Sequence, residues 1–272
     1  MNNTLVKGLR LLELMARSPA PLGITEVANR MRLGKGDVHR LMQSLVELGF
    51  ARRVGTSGTY AASTKVWELG TAMLSSLDLR KIAGPRMERL AESVRETVHL
   101  SILDGSDVIY LHQIDSPEII RTHVPVGSRV PAHTVATGKA ILSTQDDEML
   151  QSYAEMHLVQ LTDRTITDPT RFLREMRRVR EAGFAINRGE FSDSVFGVAA
   201  AIVDSSGAAL AGLGVSGPAD RLRPARFEAL GELLREAADQ ISHELAGTRA
   251  AKRASRRTTG TVRKRGAAEE AA

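Results

Sequence analysis

Apolar residues recur at helical spacing through the first fifty residues of the chain. The first set predicts a helix over residues 4–16, which a proline-rich segment at 18–21 ends: Leu5, Leu9, Leu12 and Met15. A shorter helix follows, whose N-cap we assign to Thr25: its apolar positions are Val27, Ala28 and Met31. After a turn at 33–36, a third helix ends at Gly49 and has its apolar positions at Val38, Leu41, Leu45 and Leu48.

The outer face of this third helix is rich in side chains that form hydrogen bonds. It carries Lys35, Asp37, His39, Arg40, Gln43 and Ser44, with Gly36 between the first two. A helix that is apolar behind and polar at its N-terminal end suits the DNA major groove. Residues 50–60 then predict two short strands around a Gly/Ser turn, where Arg52 and Arg53 can reach phosphates or a narrow minor groove. Together these features predict a winged helix-turn-helix; a helix pair with a solvated charged face is the alternative.

The remaining chain predicts an α+β fold with a mostly antiparallel sheet flanked by helices. Alternating and apolar runs predict strands at 98–103, 108–111, 119–124, 195–203 and 208–215. Helical periodicity predicts helices at 63–79, 85–97, 135–142, 169–182 and 227–245. We divide the chain into a winged helix-turn-helix at 1–62, a linker helix at 63–80, a second domain at 81–246 and a tail at 247–272. The tail has one large apolar residue, Val262, and is predicted to be disordered.

Charge is distributed unevenly along the chain. Residues 1–62 hold nine Lys and Arg against four Asp and Glu, a net charge of +5, whereas residues 63–246 have twenty against twenty-six, a net charge of −6. The tail adds eight against two, a net charge of +6, which either contributes nonspecific phosphate contacts or is simply a solvated segment. A basic first domain on an acidic body predicts a local nucleic-acid surface. No cysteine, signal sequence or membrane-length apolar run is present, so we expect a cytoplasmic protein without disulfides.

Catalytic, metal and cofactor motifs are weak. The sequence Gly212-Leu213-Gly214-Val215-Ser216-Gly217 matches a dinucleotide fingerprint, but Pro218 follows it where a helix should begin. His99 and His112 are possible cross-strand neighbours, but no carboxylate completes a metal or catalytic set with them. We therefore predict no catalytic residue, metal or cofactor. The competing hypothesis is an enzyme or carrier that uses the central domain on a small acid.

Short motifs occur in a fixed order across the chain. They are GDVHRL at 36–41, TVHL at 97–100, VG at 126–127, AHT at 132–134, TGKAIL at 137–142, GFA at 183–185, GE at 189–190 and VSGP at 215–218. With them the chain resembles the IclR family of bacterial transcriptional regulators over about Val6 to Leu245. The resemblance implies a ligand-responsive regulator, predicted to be a repressor, with a GAF-like effector-binding domain. It also implies a homodimer or homotetramer on a double-stranded DNA operator, a small-molecule effector and no membrane association.

The same resemblance implies an effector site formed by eight residues: Val135, Ala136, Thr137, Gly138, Asn187, Gly197, Gly214 and Ser216. The helix start at 135–138 offers backbone N–H groups to an anion. Members of the family that bind small oxo-acids carry an acidic residue, a cysteine and a serine where this chain has Asn187, Gly197 and Gly214. These changes remove volume and polarity, which predicts a roomier cavity for a bulky, for example aromatic, carboxylate. The alternative is that Phe191 or Phe196 refills the space.

The linker helix carries an apolar stripe that one subunit need not cover. Its members are Val66, Leu69, Met73 and Leu77, next to Trp67. We predict that this stripe contributes to dimerisation; packing against its own winged domain is the alternative.

Overall fold

The computed structural model describes the backbone of residues 3–55, 58–75 and 78–269, with the side chains of all of these except 71, 73–75, 78 and 249–269. The chain forms two compact units, Met1–Ser76 and Leu77–Ala272, which we describe separately. Among the described residues, no helix is both long enough and apolar enough to cross a lipid bilayer.

The first unit is a bundle of helices with a small antiparallel sheet. Its elements are α1 (Asn3–Arg17), β1 (Leu22–Gly23), α2 (Ile24–Met31), α3 (Lys35–Glu47), β2 (Ala51–Val54), β3 (Thr59–Ala62) and α4 (Thr64–Ser75). The strands lie in the order β1-β3-β2, so β2 and β3 form the predicted hairpin. The core lies between the helices and this sheet and includes Leu11, Val27, Val38, Met42 and Tyr60.

Several side chains of this unit differ from the predicted pattern. Leu5 and Leu9 are 61% and 55% exposed, because α1 turns Leu11 inward together with Met15, the one predicted position that is buried. On α3, Met42 is fully buried, whereas Leu48 at the helix end is exposed.

The Thr25 N-cap assignment is also wrong. Gly23 occupies the N-cap of α2, and because glycine has no side chain it forms no side-chain cap bond. Thr25 lies inside the helix, one residue after its start.

The second unit is built on a six-stranded antiparallel sheet. Its strands are β4 (Thr97–Asp104), β5 (Asp107–Ile114), β6 (Arg129–Pro131), β7 (Ala185–Arg188), β8 (Val195–Val203) and β9 (Ala209–Pro218). Its helices are α5 (Asp78–Val94), α6 (Ala136–Leu142), α7 (Asp147–Met156), α8 (Pro169–Ala182) and α9 (Phe227–Glu269). The strand order is β6-β5-β4-β9-β8-β7, and every pairing is antiparallel. The fold is therefore α+β, as the sequence predicts.

Two glycines let α6 lie unusually close to the sheet. A Cβ atom added at Gly212 would stand 2.6 Å from the Thr137 carbonyl oxygen, and one at Gly214 would stand 2.8 Å from the Thr137 Cγ2 methyl. Real Cβ atoms do not approach other atoms that closely, so a side chain at either position would push the helix away. The TGKAIL motif and the glycines of β9 thus form one packing unit.

The predicted strand at 119–124 is wrong. Residues 115–128 form a loop between β5 and β6, and side chains of other elements bind the backbone of its 119–124 segment, which belongs to no strand. The Thr97 hydroxyl donates to the Thr122 carbonyl oxygen at 2.8 Å, and the Arg221 guanidinium donates to the Ile120 carbonyl oxygen at 2.8 Å. The apolar Ile119 and Ile120 suggested a strand, yet they are 95% and 73% exposed.

Three helices have different limits from those predicted. The helix predicted over 63–79 is described as α4 up to Ser75, and Leu79, its predicted last residue, lies in α5. Helix α5 begins at Asp78 and contains Pro85, where the sequence predicts the helix to begin. Burial of Leu79 and Ala83 in the added turns compensates for the backbone hydrogen bond that proline cannot make.

Helix α9 continues to Glu269, whereas the composition of residues 247–272 predicts disorder. The segment has little apolar surface to bury, but alanine, arginine and lysine favour helix intrinsically.

Candidate nucleic-acid interface and ligand cavity

Helix α3 presents its predicted contact residues on one accessible side of the first unit. Lys35, Gly36, Arg40, Gln43 and Ser44 are exposed, whereas Asp37 and His39 are half-buried. The buried Val38 and Met42 fix the helix against the core, so the polar side is held outward. This arrangement leaves the N-terminal half of α3 free to enter a groove of nucleic acid.

Arg40 is an exposed cation of this side. Its Nη2 atom lies 2.5 Å from Asp37 Oδ1, and its side chain is 78% exposed. The Ser44 hydroxyl donates to the Arg40 carbonyl oxygen at 3.2 Å. One carboxylate occupies only part of the five-donor guanidinium, so Arg40 retains donors for a base edge or a phosphate.

The hairpin places two further arginines on the surface of the same unit. Arg52 and Arg53 are both exposed on β2, where they pair with Ala61 and Tyr60 of β3. The Arg53 guanidinium lies 5.7 Å from the centre of the Tyr60 ring. A cation–π contact of this length orients Arg53, whereas Arg52 is available for solvent or phosphate.

A cavity of about 500 Å³ lies in the second unit. It is bounded by the start of α6, the ends of β7, β8 and β9, and the loop at 115–128. Seven of the eight predicted effector residues line it: Val135, Ala136, Thr137, Asn187, Gly197, Gly214 and Ser216. Gly138 does not line it, because a Cβ atom there would stand 2.1 Å from the Ala132 carbonyl oxygen; this glycine permits close packing of α6.

The two glycines expected to enlarge the cavity differ. Gly197 lines the cavity, but a Cβ atom there would lie 3.2 Å from the Val215 carbonyl oxygen, a tight approach, and 3.6 Å from the Ala136 Cβ atom. At Gly214 the space is already filled by the Thr137 methyl group and by Ala199. Of the residues considered for refilling, Phe191 lines the cavity, whereas Phe196 packs against Phe227 with ring centres 6.1 Å apart.

Asn187 is buried and its side chain is used within the protein. Its Nδ2 atom donates to the Thr134 carbonyl oxygen at 2.9 Å, and its Oδ1 atom accepts from the backbone N–H groups of Gly189 at 2.8 Å and Glu190 at 3.0 Å. An amide suits this position because it must donate on one side and accept on the other. At most one Asn187 N–H remains for a ligand.

The sequence did not single out His99, Tyr110 or the loop residues as cavity residues. His99 is buried on β4, and its Nε2 atom lies 2.6 Å from the Ser216 hydroxyl, which lies 2.7 Å from the Thr122 hydroxyl. Burial lowers the pKa of His99 to about 4 and raises that of Tyr110 to about 12, so both are neutral at pH 7. His99 pairs with Gln113 across the sheet, so the cross-strand His112 pairing is wrong. Sequence alone could not place the 115–128 loop beside them.

The lysine of the TGKAIL motif does not line the cavity and instead holds neighbouring elements together. Lys139 is fully buried, and its Nζ atom donates to the Ile186 carbonyl oxygen at 2.5 Å, to Glu190 Oε1 at 2.6 Å and to Glu175 Oε1 at 3.3 Å. These bonds tie α6 to β7 and α8. Within the described part of the chain, no group of three or more His, Asp or Glu side chains is arranged to hold a metal ion.

The fold and its two sites define a class: a winged helix-turn-helix DNA-binding unit joined to a ligand-binding α+β unit. The IclR helix-turn-helix domain model matches residues 4–55, and the model described as bacterial transcriptional regulator IclR C-terminal matches residues 71–243. The chain belongs to the IclR family. It is a ligand-responsive transcriptional regulator and not an enzyme.

Known members of the family match most of the chain. It is 32% identical over 225 residues to the HTH-type transcriptional regulator KdgR of Escherichia coli, covering 82% of this chain and 86% of that protein. It is 31% identical over 249 residues to the acetate operon repressor of Salmonella typhimurium, covering 90% and 91%. The crystal structure of an IclR homolog complexed with 4-hydroxybenzoate, from Microbacterium hydrocarbonoxydans, matches with a TM-score of 0.78 and 27% identity, covering 89% of this chain and 99% of that one.

Proposed function

We propose that this regulator is a repressor whose effector is a bulky, for example aromatic, carboxylate held in the 500 Å³ cavity. The size of the cavity carries the proposal, since pockets of this size accommodate ligands well beyond two or three carbons. Gly197 lines the cavity without a side chain, and apolar side chains such as Val135, Val195 and Phe191 provide contact area for a ring. A small oxo-acid would leave most of this surface uncovered.

Two relatives support the proposal. One solved IclR homolog is complexed with 4-hydroxybenzoate, an aromatic acid, and its fold matches this chain with a TM-score of 0.78. Another relative is named as a repressor of the acetate operon. We infer that ligand binding in the second unit changes the affinity of the dimer for its operator.

We further propose that α3 enters the major groove and that the hairpin arginines contact the DNA backbone. The proposed contact residues are Lys35, Gly36, Asp37, His39, Arg40, Gln43, Ser44, Arg52 and Arg53. The net charge of +5 over residues 1–62 supports this assignment. A two-fold symmetric dimer would then occupy a palindromic operator.

Calorimetric titration tests the effector class. We expect the wild-type protein to bind aromatic monocarboxylates more tightly than glyoxylate or pyruvate. Gly197→Cys should weaken aromatic binding at least tenfold, because the thiol enters the cavity beside Ala136. Gly197→Ala is the matched control, because its Cβ atom makes the same tight approach to the Val215 carbonyl oxygen but adds no thiol. Gly214→Ser is unsuitable, because Thr137 and Ala199 occupy its space.

The operator assignment needs a separate measurement. DNase footprinting on DNA flanking the gene should reveal a protected palindrome whose occupancy changes when an aromatic acid is added. Preference for the smallest oxo-acids would contradict the proposed effector class, and absence of any protected palindrome at moderate salt would contradict the proposed operator recognition.

A further inference from the structure

The last turns of α9 carry a row of cationic positions, which we call the C-terminal stripe. Among the described side chains of this helix, Leu245 is the last buried one, and the backbone continues as a helix to Glu269. Seven of the eight cations of residues 247–272 recur at a spacing that places their positions along one side of a helix: Arg249, Lys252, Arg253, Arg256, Arg257, Arg263 and Lys264. Arg265 falls on the other side, and Gly260 interrupts the stripe. The stripe extends over about 22 Å of helix.

The sequence around the C-terminal stripe supplies almost no anions to it. Residues 245–268 contain no Asp or Glu, so the one cation of this segment with a carboxylate three or four residues away is Arg265, with Glu269. The nearest preceding carboxylate, that of Glu244, is bonded to Arg86 at 2.6 Å. Like charges three and four residues apart repel one another along a helix, so a polyanion that neutralises them also stabilises the helix. An external anion with several regularly spaced charges therefore fits the stripe.

The composition of the segment favours duplex DNA over a lipid surface as this anion. The positions between its cations are Ala, Ser, Thr and Gly, and Val262 is the one large apolar residue. A helix that binds a membrane interface needs residues such as Leu, Phe or Trp on the side opposite its cations. DNA needs no apolar side, because its phosphates follow each strand at regular intervals. Six of the eight cations are arginines, whose guanidinium groups can each donate two hydrogen bonds to one phosphate.

We propose that the C-terminal stripe is a second DNA-binding element, which contacts the phosphate backbone and adds affinity without sequence preference. The IclR C-terminal model ends at residue 243, so the stripe lies beyond the part of the chain that the family model matches. Residues 247–272 have a net charge of +6, against +5 for residues 1–62 and −6 for residues 63–246. The stripe is therefore a local cationic surface on an otherwise acidic unit. Its role does not depend on which effector the cavity binds.

Fluorescence anisotropy of the full-length protein on a labelled duplex of mixed sequence tests the proposal. One variant removes three cations of the stripe: Arg253→Ala, Arg256→Ala and Arg257→Ala. It should bind the duplex about tenfold more weakly at moderate salt, and the slope of log affinity against log salt should fall by about three, because three phosphate contacts are lost. The matched control removes three exposed arginines from α8 of the same unit: Arg171→Ala, Arg174→Ala and Arg177→Ala. The control should bind within about twofold of wild type and keep its slope, because long-range attraction is screened by salt.

A rearranged variant keeps the net charge and moves three cations to the other side of the helix: Arg253→Ala with Ala254→Arg, Arg256→Ser with Ser255→Arg, and Arg257→Thr with Thr258→Arg. It should bind the duplex about threefold or more weakly than wild type, because the stripe loses three of its seven cations.

Four outcomes would overturn the proposal. Wild-type affinity in the stripe variant or in the rearranged variant would show that the stripe does not contact DNA. An equal loss in the α8 variant would assign the effect to net charge alone. Tighter duplex binding by the stripe variant would mean that the tail covers a surface of the protein itself. Vesicles of phosphatidylglycerol and phosphatidylcholine are the last probe, and tighter wild-type binding to them than to the duplex at equal salt would make a membrane the partner.

Discussion

Lys139 shows how one buried residue can determine the position of a helix that borders the cavity. Its ammonium group is fully buried between Glu190 and Glu175, whose side chains are 7% and 13% exposed. Removing one partner of a buried ion pair leaves the other charge without compensation. Lys139→Met should therefore lower the free energy of unfolding by about 3–5 kcal/mol, measured by urea denaturation.

The neighbouring Arg178 provides the control for Lys139. It also approaches Glu175, at 3.7 Å, but its side chain is 55% exposed. Arg178→Met should change the free energy of unfolding by less than about 1 kcal/mol, as is usual for solvated pairs. Equal and small losses in the two variants would show that Lys139 does not hold α6 in place.

His99 makes stability depend on pH. Its pKa is about 4 in the folded protein and 6.5 in an unfolded chain, so between these values the unfolded state binds more protons. The free energy of unfolding should therefore fall as pH falls from 6.5 to 4, with a contribution from His99 of up to about 3 kcal/mol. Denaturation of wild type and His99→Gln at several pH values isolates this contribution from those of other histidines. Parallel pH curves would contradict it.

At the scale of elements, we predict that a substitution on the exposed side of α3 changes DNA affinity without changing stability. Arg40→Ala should weaken operator binding by more than about 1 kcal/mol if its guanidinium contacts a base or phosphate. The free energy of unfolding should hardly change, because the Arg40–Asp37 pair is solvated. Arg30→Ala on α2 is the control, since Arg30 also lies 2.5 Å from a carboxylate, that of Glu26. Gel-shift titration measures both variants, and equal affinities would remove Arg40 from the interface.

The hairpin should contribute affinity without sequence preference. Arg52→Ala should weaken binding to operator and unrelated duplexes alike, and should reduce the slope of log affinity against log salt by about one. Arg53→Ala should act similarly but also loses the contact with the Tyr60 ring. Fluorescence anisotropy over a range of salt concentrations measures the slopes. A changed base preference would mean that these arginines read sequence.

The elements differ in how far the sequence could predict them. Hydrophobic periodicity placed α8 at its observed limits, because α8 buries a regular face, and a continuous apolar run placed β8, whose middle residues are buried on both faces. It misplaced residues 119–124, because adjacent isoleucines favour a strand only if a neighbouring strand is available, and here side chains such as Thr97 and Arg221 bind the loop instead. Local pattern does not encode such long-range partners.

The same reason limited the prediction of the cavity. Motif resemblance identified Gly197 and Gly214, but the packing of Thr137 against Gly214 depends on how closely α6 approaches β9. His99 lines the cavity because the sheet register places it opposite Gly214, and the sequence does not reveal this register. Spacing along the chain could not distinguish the glycine that borders space from the glycine that is already covered.

At the scale of the whole molecule, we predict self-association through the first unit. Large apolar side chains are exposed on two of its helices: Leu5 at 61% and Leu9 at 55% on α1, and Trp67 at 70% and Leu69 at 52% on α4. Of the other predicted stripe residues, Val66 is half-buried, and the Met73 side chain and Leu77 lie outside the described residues. Such exposure in one unit is typical of a surface that a second subunit covers.

Sedimentation velocity at micromolar concentration tests this association. The wild-type protein should sediment as a dimer or larger, and Trp67→Glu should shift it towards the 29.5 kDa monomer, because a charge would be buried in the interface. Met156→Glu is the matched control, because Met156 is 66% exposed on α7 of the other unit. Operator affinity should fall with dimerisation in Trp67→Glu, since a palindromic site needs two recognition helices at fixed spacing. A wild-type monomer, or equal dissociation in both variants, would show that α4 does not form the interface.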